Sequence, residues 1–321
     1  METISIILGA VIPVYLIVAL GFALRKREIV SGETEKTLFK LLINLWVPCL
    51  VVNVVARNPA FDNKANIIWP PLMGFLLVAT GILISWFFSK IFLRKVEKRS
   101  VKAFAYTTGV FNYGYIPIPI ISALFDQATL GVLFVFNVGV EVGLWMFGMP
   151  MMAGSNSVRQ VIKRILNPPL IALVCCVLIR ILDLGEMIPA PLWNLIEVLS
   201  GCTIPVGILL VGMAMADHIK GLKALGKPGA WMLSLGIRIG IMPVIFIWAA
   251  GWSHFTSELT TVIAIQAAMP CAVFPVVLAK HYGGDANTAT QIIFATSAVA
   301  FASTPLWLDF AFRLLKLTPA Q

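Results

Sequence analysis

Ten runs of apolar residues, each about as long as a membrane-spanning helix, follow one another along the 321-residue chain. A helix crosses a bilayer with about 20 predominantly apolar residues. The runs cover residues 4–23, 35–56, 67–89, 101–125, 128–153, 167–184, 191–215, 228–251, 258–280 and 288–312. Only 12% of the residues are charged, about half the proportion of a soluble domain. The sequence therefore predicts an all-α polytopic membrane protein with no room for a soluble catalytic domain.

The basic residues divide unequally between the two sides of the predicted membrane. When successive connections are assigned to alternate sides, 18 of the 24 Lys and Arg residues fall on one side. Basic residues accumulate on the cytoplasmic side of membrane proteins, so this distribution predicts that both termini lie outside. The net charge of +9 is thus a topology signal, and no nucleic-acid partner is expected.

The positions of the prolines indicate two related halves. Five prolines of the first half have a counterpart 155–157 residues later: Pro13 with Pro169, Pro48 with Pro205, Pro71 with Pro228, Pro119 with Pro275, and Pro150 with Pro305. Five spans per half give the halves opposite orientations, an arrangement common in secondary transporters. We expect one five-helix repeat over residues 1–153, a short cytoplasmic linker over 154–166, and an inverted repeat over 167–321.

The fourth and ninth spans are predicted to be broken near the bilayer centre. Each contains two prolines, Pro117 and Pro119 in the fourth and Pro270 and Pro275 in the ninth. Proline removes a helical hydrogen bond, and unwound backbone is tolerated in a membrane only where it faces protein or a water-filled cavity. The helix that resumes after each break presents N-terminal amides, which attract anions. Asn112 and Gln266, just before the breaks, are candidate ligand contacts.

Two ionisable residues lie in mid-span, Glu141 in the fifth span and Arg238 in the eighth. Each costs about 2.5 to 3.5 kcal/mol at the bilayer centre, so each needs a partner. One interpretation is an ion pair between them. In the others, Arg238 neutralises a substrate carboxylate, or Glu141 binds a proton or Na⁺ with oxygens such as those of Asn137 and Ser297.

Glycines flank both charges at a spacing of two residues: Gly139 and Gly143 beside Glu141, and Gly236 and Gly240 beside Arg238. Small residues four apart allow membrane helices to pack closely. A residue two positions away lies about 200° around the helix. Both glycine pairs are therefore predicted to be packed faces, with the charges pointing away from them.

Catalytic and metal-binding patterns are not found in this sequence. The five cysteines lie inside apolar runs without a neighbouring His, and no nucleotide-binding or hydrolase motif occurs. We therefore expect a protein that is not an enzyme, with no catalytic residue, metal or cofactor, and with Na⁺ or H⁺ coupling left open.

Three short motifs resemble the auxin efflux carrier family, which includes plant PIN-type carriers and bacterial organic-anion carriers such as malonate transporters. They are Asn112-Tyr-Gly-Tyr-Ile-Pro-Ile-Pro119, Met269-Pro270 together with Val277-Leu-Ala-Lys-His-Tyr-Gly-Gly-Asp285, and Asn167-Pro168-Pro169. The resemblance extends over the whole chain. The long hydrophilic central loop of many plant members is absent, which is typical of a bacterial form.

The resemblance implies a bile acid symporter-like fold whose broken fourth and ninth spans cross. It implies an elevator-like carrier of small organic anions, such as indole acids or dicarboxylates, in a bacterial inner membrane. Spans 1, 2, 6 and 7 would form a scaffold with a homodimer contact, and spans 3–5 and 8–10 would move. The candidate substrate-binding residues are Asn112, Tyr113, Gly114, Tyr115, Pro117, Pro119, Gln266, Met269, Pro270, Pro275 and Arg238.

Rival interpretations come from inside and outside transport. A sodium-coupled importer like the bile acid symporters would share the layout, and a membrane sensor or intramembrane enzyme is the alternative from another class. The third span, 67–89, has no acidic residue, whereas plant carriers place one there near the binding site, so a role for such a group is not carried over.

Overall fold

The computed structural model describes residues 2–152, 166–182, 189–222 and 229–319, and within these ranges it contains helices and no β-strand. The predicted linker at 154–166 lies almost entirely outside the described residues. The helices are α1 Glu2–Lys26, α2 Gly32–Val55, α3 Ala65–Phe92, α4 Lys98–Gly109, α5 Pro117–Leu124, α6 Gln127–Met152, α7 Pro168–Ile181, α8 Ala190–Gly201, α9 Thr203–Leu222, α10 Gly229–Ala250, α11 Ser257–Ala267, α12 Phe274–Tyr282 and α13 Ala286–Leu315.

Seven apolar stretches of the described chain are long enough to cross a membrane as helices. They are α1, α2, α3, α6, α8 with α9, α10 and α13, and α7 is apolar but shorter. The predicted spans 101–125 and 258–280 are each divided, the first into α4 and α5 and the second into α11 and α12. The predicted all-α, multi-pass membrane protein is confirmed at this level.

Most of the mid-helix prolines do not break their helices. Pro13 lies inside α1, Pro71 inside α3, Pro150 inside α6 and Pro305 inside α13. Neighbouring helices and local adjustments can satisfy the backbone groups that a single proline frees. Unwinding is seen at the two places where paired prolines were predicted to cause it.

Two helices accommodate a proline through a wide, π-helical turn instead. Leu42–Trp46 precedes Pro48 in α2, and Gly236–Ile241 precedes Pro243 in α10. Proline leaves the carbonyl four residues earlier without an α-helical donor. In α10 that carbonyl, of Ile239, accepts a hydrogen bond from the Trp307 indole at 2.8 Å. The wide turn contains Arg238, in keeping with the frequent occurrence of π-turns at functional sites.

Helix α6 packs closely against α3 through glycine. A Cβ atom added at Gly139 would lie 1.7 Å from the Pro71 carbonyl oxygen, and one at Gly74 would lie 2.2 Å from that of Phe136. Gly143 faces the Val78 side chain, 3.2 Å from such a Cβ. In lipid, small residues are what allow helix backbones to approach. The glycine face predicted beside Glu141 is confirmed.

The corresponding prediction for α10 is wrong. No described heavy atom lies within 4 Å of a Cβ built at Gly236 or Gly240, and both residues are exposed. Arg238 lies on the opposite side of the helix and is buried in the protein. Since only one side of α10 packs inward, the side that carries the charge is the packed one.

We expect Gly139→Ala to lower the free energy of unfolding by about 1–3 kcal/mol or more, because the new methyl group overlaps the backbone of α3. Gly236→Ala is the matched control: the methyl meets open space, and alanine is the better helix former by about 0.5–1 kcal/mol. Thermal unfolding of the two purified variants in detergent measures the difference. Equal melting temperatures would contradict the close contact.

The Gly-Gly-Asp end of the motif at 277–285 forms the turn between α12 and α13. Gly283 ends α12 with φ of 74°, a left-handed conformation that glycine adopts without strain. Asp285 begins α13, and its carboxylate accepts hydrogen bonds from the amides of Asn287 and Thr288 at 3.0 Å. It also accepts one from the Ser100 hydroxyl of α4 at 2.6 Å, which ties the turn to the start of the first broken span.

The Asp285 carboxylate is expected to stabilise the protein in a pH-dependent way. Burial alone would raise its pKa, but the hydrogen bonds from Ser100, Thr288 and Asn287 outweigh this effect and lower the pKa below 3.8. A lowered native pKa means that the contribution is present above the unfolded pKa and is lost as the pH falls through the native one. The difference in melting temperature between wild type and Asp285→Asn should therefore become smaller below pH 4. A difference that stays constant with pH would contradict the stabilising role of the Asp285 carboxylate.

Candidate transport site

The two unwound segments, residues 110–116 between α4 and α5 and residues 268–273 between α11 and α12, pair with each other. The amide of Asn112 donates to the Pro270 carbonyl at 2.8 Å, and the amide of Ala272 donates to the Val110 carbonyl at 2.9 Å. Phe111 and Cys271 form an antiparallel bridge between them. Each break thus supplies hydrogen-bond partners that the other lost on leaving the helix.

Arg238 is fully buried and contacts the second of the two paired segments and the end of α11. Its Nε donates to the Met269 carbonyl at 2.9 Å and its Nη2 to the Gln266 carbonyl at 3.2 Å. The guanidinium carbon lies 5.3 Å and 5.1 Å from the ring centres of Phe111 and Phe246. The cation therefore caps the carbonyl end of α11, where the helix dipole is negative.

Glu141 has different partners. The Tyr113 hydroxyl donates to one carboxylate oxygen at 2.8 Å, and the Trp145 indole donates to the other at 3.1 Å. Among the described residues no ion pair joins Glu141 to Arg238, so the ion-pair interpretation does not describe this arrangement. Asn137, one helical turn earlier, has a buried side-chain oxygen without a hydrogen-bond partner among the described residues.

A side-chain amide connects the two charged centres. Gln266, fully buried, donates from Nε2 to the Tyr113 carbonyl at 3.3 Å. The backbone of Gln266 binds Arg238, and the side chain of Tyr113 binds Glu141. The arginine and the carboxylate are thus linked across the paired breaks without touching each other.

A cavity of about 360 Å³ lies on the Glu141 side of the paired breaks. Seven of the predicted site residues line it, namely Asn112, Tyr113, Gly114, Tyr115, Pro119, Asn137 and Glu141. Seven others are not among its lining residues, namely Pro117, Arg238, Gln266, Met269, Pro270, Pro275 and Ser297. For Arg238 the reason is physical: its donors Nε and Nη2 already bind backbone carbonyls behind the breaks.

A large part of the remaining wall comes from helices that carried no site prediction. Apolar side chains of α2, α7 and α9 form them: Leu42, Ile43, Val47, Val51, Leu170, Leu173, Ile204 and Ile208. Trp145, Thr203 and Gly207 also line the cavity. Sequence reasoning missed these residues because an apolar residue that faces a cavity has the same pattern as one that faces lipid. The Asn167-Pro168-Pro169 motif was the available signal, since Asn167 and Pro169 line the cavity too.

The polar end of the cavity offers hydrogen-bond donors from the backbone. Within the described chain, no hydrogen-bond partner is found for the amides of Tyr113, Gly114 and Tyr115. The next amide, of Ile116, donates to the Asn112 side chain, and α5 begins at Pro117. The three residues are half-buried and line the cavity, and amides near a helix N-terminus attract anions. The cavity therefore combines one polar end with apolar walls, which suits a small molecule that has a charged group and an apolar body.

We expect Tyr113→Phe to lower the free energy of unfolding by about 1–3 kcal/mol, because a buried carboxylate oxygen loses its hydroxyl donor. Tyr115→Phe is the matched control, since no hydrogen bond of the Tyr115 hydroxyl is found among the described residues. Both residues line the cavity, so thermal unfolding without ligand isolates the hydrogen bond. A greater loss in Tyr115→Phe would contradict the assignment.

Long apolar helices, two broken helices and an internal cavity define a membrane transport protein, and comparison with known proteins agrees. The profile of a family described as "Membrane transport protein" (Mem_trans) matches residues 6–308. The chain belongs to this family, which is the auxin efflux carrier family that the motifs resemble.

Curated relatives cover the chain almost completely. An uncharacterized transporter of Methanothermobacter thermautotrophicus is 23% identical over 302 residues, covering 92% of this chain and 96% of the relative. The uncharacterized transporter YfdV of Escherichia coli K12 is 21% identical over 320 residues, covering 94% and 96%. The YfdV protein of Shigella flexneri matches to the same extent. These relatives imply a role in transport rather than in catalysis.

Proposed function

We propose that the protein is a secondary carrier of small organic anions that binds its substrate in the cavity beside the paired breaks. The unpartnered amides of residues 113–115 carry this proposal. A carboxylate placed there would accept from these amides at the N-terminus of α5. The apolar walls on α2, α7 and α9 would enclose the rest of the molecule, so monocarboxylates with an apolar body are favoured over compact dicarboxylates.

Ten membrane crossings in two inverted halves are the architecture that we propose. The seven long apolar helices, the shorter α7, and the pairs α4–α5 and α11–α12 supply the ten crossings. Residues 1–153 and 167–321 would be the repeats, in agreement with the proline spacing. Because basic residues predominate on one side, both termini would lie outside a bacterial inner membrane.

An elevator-like movement is supported by the composition of the cavity walls. Most of its polar side chains come from the first break and α6, which belong to the proposed moving unit, and Asn167 and Thr203 are the polar lining residues of the proposed scaffold. The wall formed by α2, α7 and α9, in the proposed scaffold, is predominantly apolar. Since an apolar wall makes few directional bonds, the moving unit can slide along it with the substrate. The scaffold would also carry the homodimer contact.

The predicted residues outside the cavity receive a different role in this proposal. Arg238, Gln266, Met269 and Pro270 would fix the second break, so that the first break presents its amides to the cavity. They are thus positioning residues, which act on the substrate through the backbone of the two breaks.

A thermal-shift screen with substrate-sized acids tests the proposed site. Phenylacetate, indole-3-acetate or malonate is added to the purified protein, and the melting temperature is measured. A ligand present at 100 times its Kd stabilises the folded state by about 2.7 kcal/mol. We expect stabilisation by the aromatic acids in wild type but not in Gly207→Phe. A Cβ at Gly207 meets Tyr115 only at 3.6 Å, so a larger ring enters the cavity without a backbone clash.

Gly201→Phe is the control for this screen, because no described heavy atom lies within 4 Å of a Cβ at Gly201 and the residue does not line the cavity. It should respond to the acids as wild type does. Equal responses of wild type and Gly207→Phe would place the binding site elsewhere. No response of folded wild type to any organic acid would contradict the substrate class.

A further inference from the structure

The proposed anion site contains a negative charge of its own. Glu141 lines the cavity, and among the described residues no Lys, Arg or His lines it. Arg238 is bound to the carbonyls of Met269 and Gln266, and so does not neutralise the carboxylate. A substrate carboxylate in the same cavity would be repelled by an ionised Glu141, because charges interact strongly in a weakly polar interior.

The helices packed around α6 contribute few other titratable groups near Glu141. Tyr113 and Tyr115 face it from the first break and Tyr106 from α4, and the Tyr106 hydroxyl donates to the Leu144 carbonyl at 2.9 Å. The charged residues of the packed elements lie within three turns of a helix end or in the turn before α3: Glu33, Glu35, Lys36, Lys40, Asp62, Lys90, Lys98, Arg99, Lys102, Arg180, Glu258, Lys280 and His281. The thiols on these elements are Cys49, Cys175 and Cys176.

The surroundings of Glu141 also accommodate its neutral form. A protonated carboxyl group is a donor and needs an acceptor. The side-chain oxygen of Asn137 is buried and unpartnered in the described chain, and it lies one turn earlier on the same helix face, where side chains meet. Tyr113 and Trp145 can continue to donate to the remaining lone pairs.

We infer that Glu141 is a proton-binding site coupled to the anion: it takes up one proton from water when a carboxylate substrate enters the cavity, and releases it when the substrate leaves. This inference rests on the proposed function. The proton bonds to a carboxylate oxygen of Glu141, so the cavity carries one negative charge both when empty and when loaded with a monoanion. The site therefore carries the same charge in both directions of its movement, and the net transport of a monoanion with its proton is electroneutral.

A proton fits this site better than a metal cation. Hard cations take several oxygen ligands at once. Both oxygens of Glu141 already accept hydrogen bonds, and Asn137 offers one further oxygen. Sodium coupling is the rival outcome of the test.

Binding of phenylacetate between pH 5.5 and 8.5, with K⁺ or Na⁺ as the salt, tests the inference. In wild type the Kd should rise up to tenfold per pH unit in the upper part of this range. In Glu141→Gln it should be independent of pH. Glu197→Gln is the control, since Glu197 is exposed on α8 and does not line the cavity; it should behave as wild type does. Neutral phenylacetamide should show no dependence on pH in any variant.

A second measurement needs no variant and remains informative if Glu141→Gln does not fold. Phenylacetate added to wild type in weak buffer should remove about one proton per bound anion from solution, and phenylacetamide none. A pH-independent Kd in wild type, a retained pH dependence in folded Glu141→Gln, or a requirement for Na⁺ would each overturn the inference while leaving the anion carrier intact. Failure of phenylacetate to bind at any pH would instead overturn the proposed substrate class, and the proton step with it.

Discussion

The antiparallel pairing of two unwound segments is the interaction on which the rest of the structure depends. In a membrane an unsatisfied peptide group costs several kcal/mol, so a broken helix needs another source of hydrogen bonds. Here the segment at 110–116 and the segment at 268–273 bond to each other. Because this pairing uses amides on one part of each segment, the amides of residues 113–115 remain free to line the cavity.

The two ionisable side chains in mid-helix, Arg238 and Glu141, have different partners at this pairing of the two segments. Arg238 satisfies backbone carbonyls at the end of α11, whereas Glu141 is held by Tyr113 and Trp145 at the cavity. A direct ion pair would have neutralised both and left neither available. With Nε and Nη2 of the arginine bound to backbone carbonyls, the carboxylate lines the cavity and is held there by Tyr113 and Trp145.

Sequence patterns predicted the helix breaks well and the partners of the charges poorly. Pro117, Pro119, Pro270 and Pro275 located the breaks because proline acts on its own helix, a local effect that needs no knowledge of the fold. The glycines beside Arg238 gave a wrong prediction, since the small-residue spacing in α10 is the same as in α6 and only packing decides which face is covered. The apolar cavity wall was equally invisible, because residues facing a cavity and residues facing lipid look alike.

The sequence by itself determined the membrane class, the helical content, the positions of the breaks and the family, because hydrophobicity, proline geometry and short motifs are properties of contiguous residues. Only the tertiary structure decided that the two breaks pair, that Arg238 binds carbonyls rather than Glu141, and that Asn112 and Gly114 line a cavity while Gln266 and Met269 lie behind it. The pairing of the breaks and the Gln266–Tyr113 contact join residues more than 150 positions apart, and the Arg238 bonds join separate elements 28 and 31 positions apart. The pattern of a single helix does not contain that information.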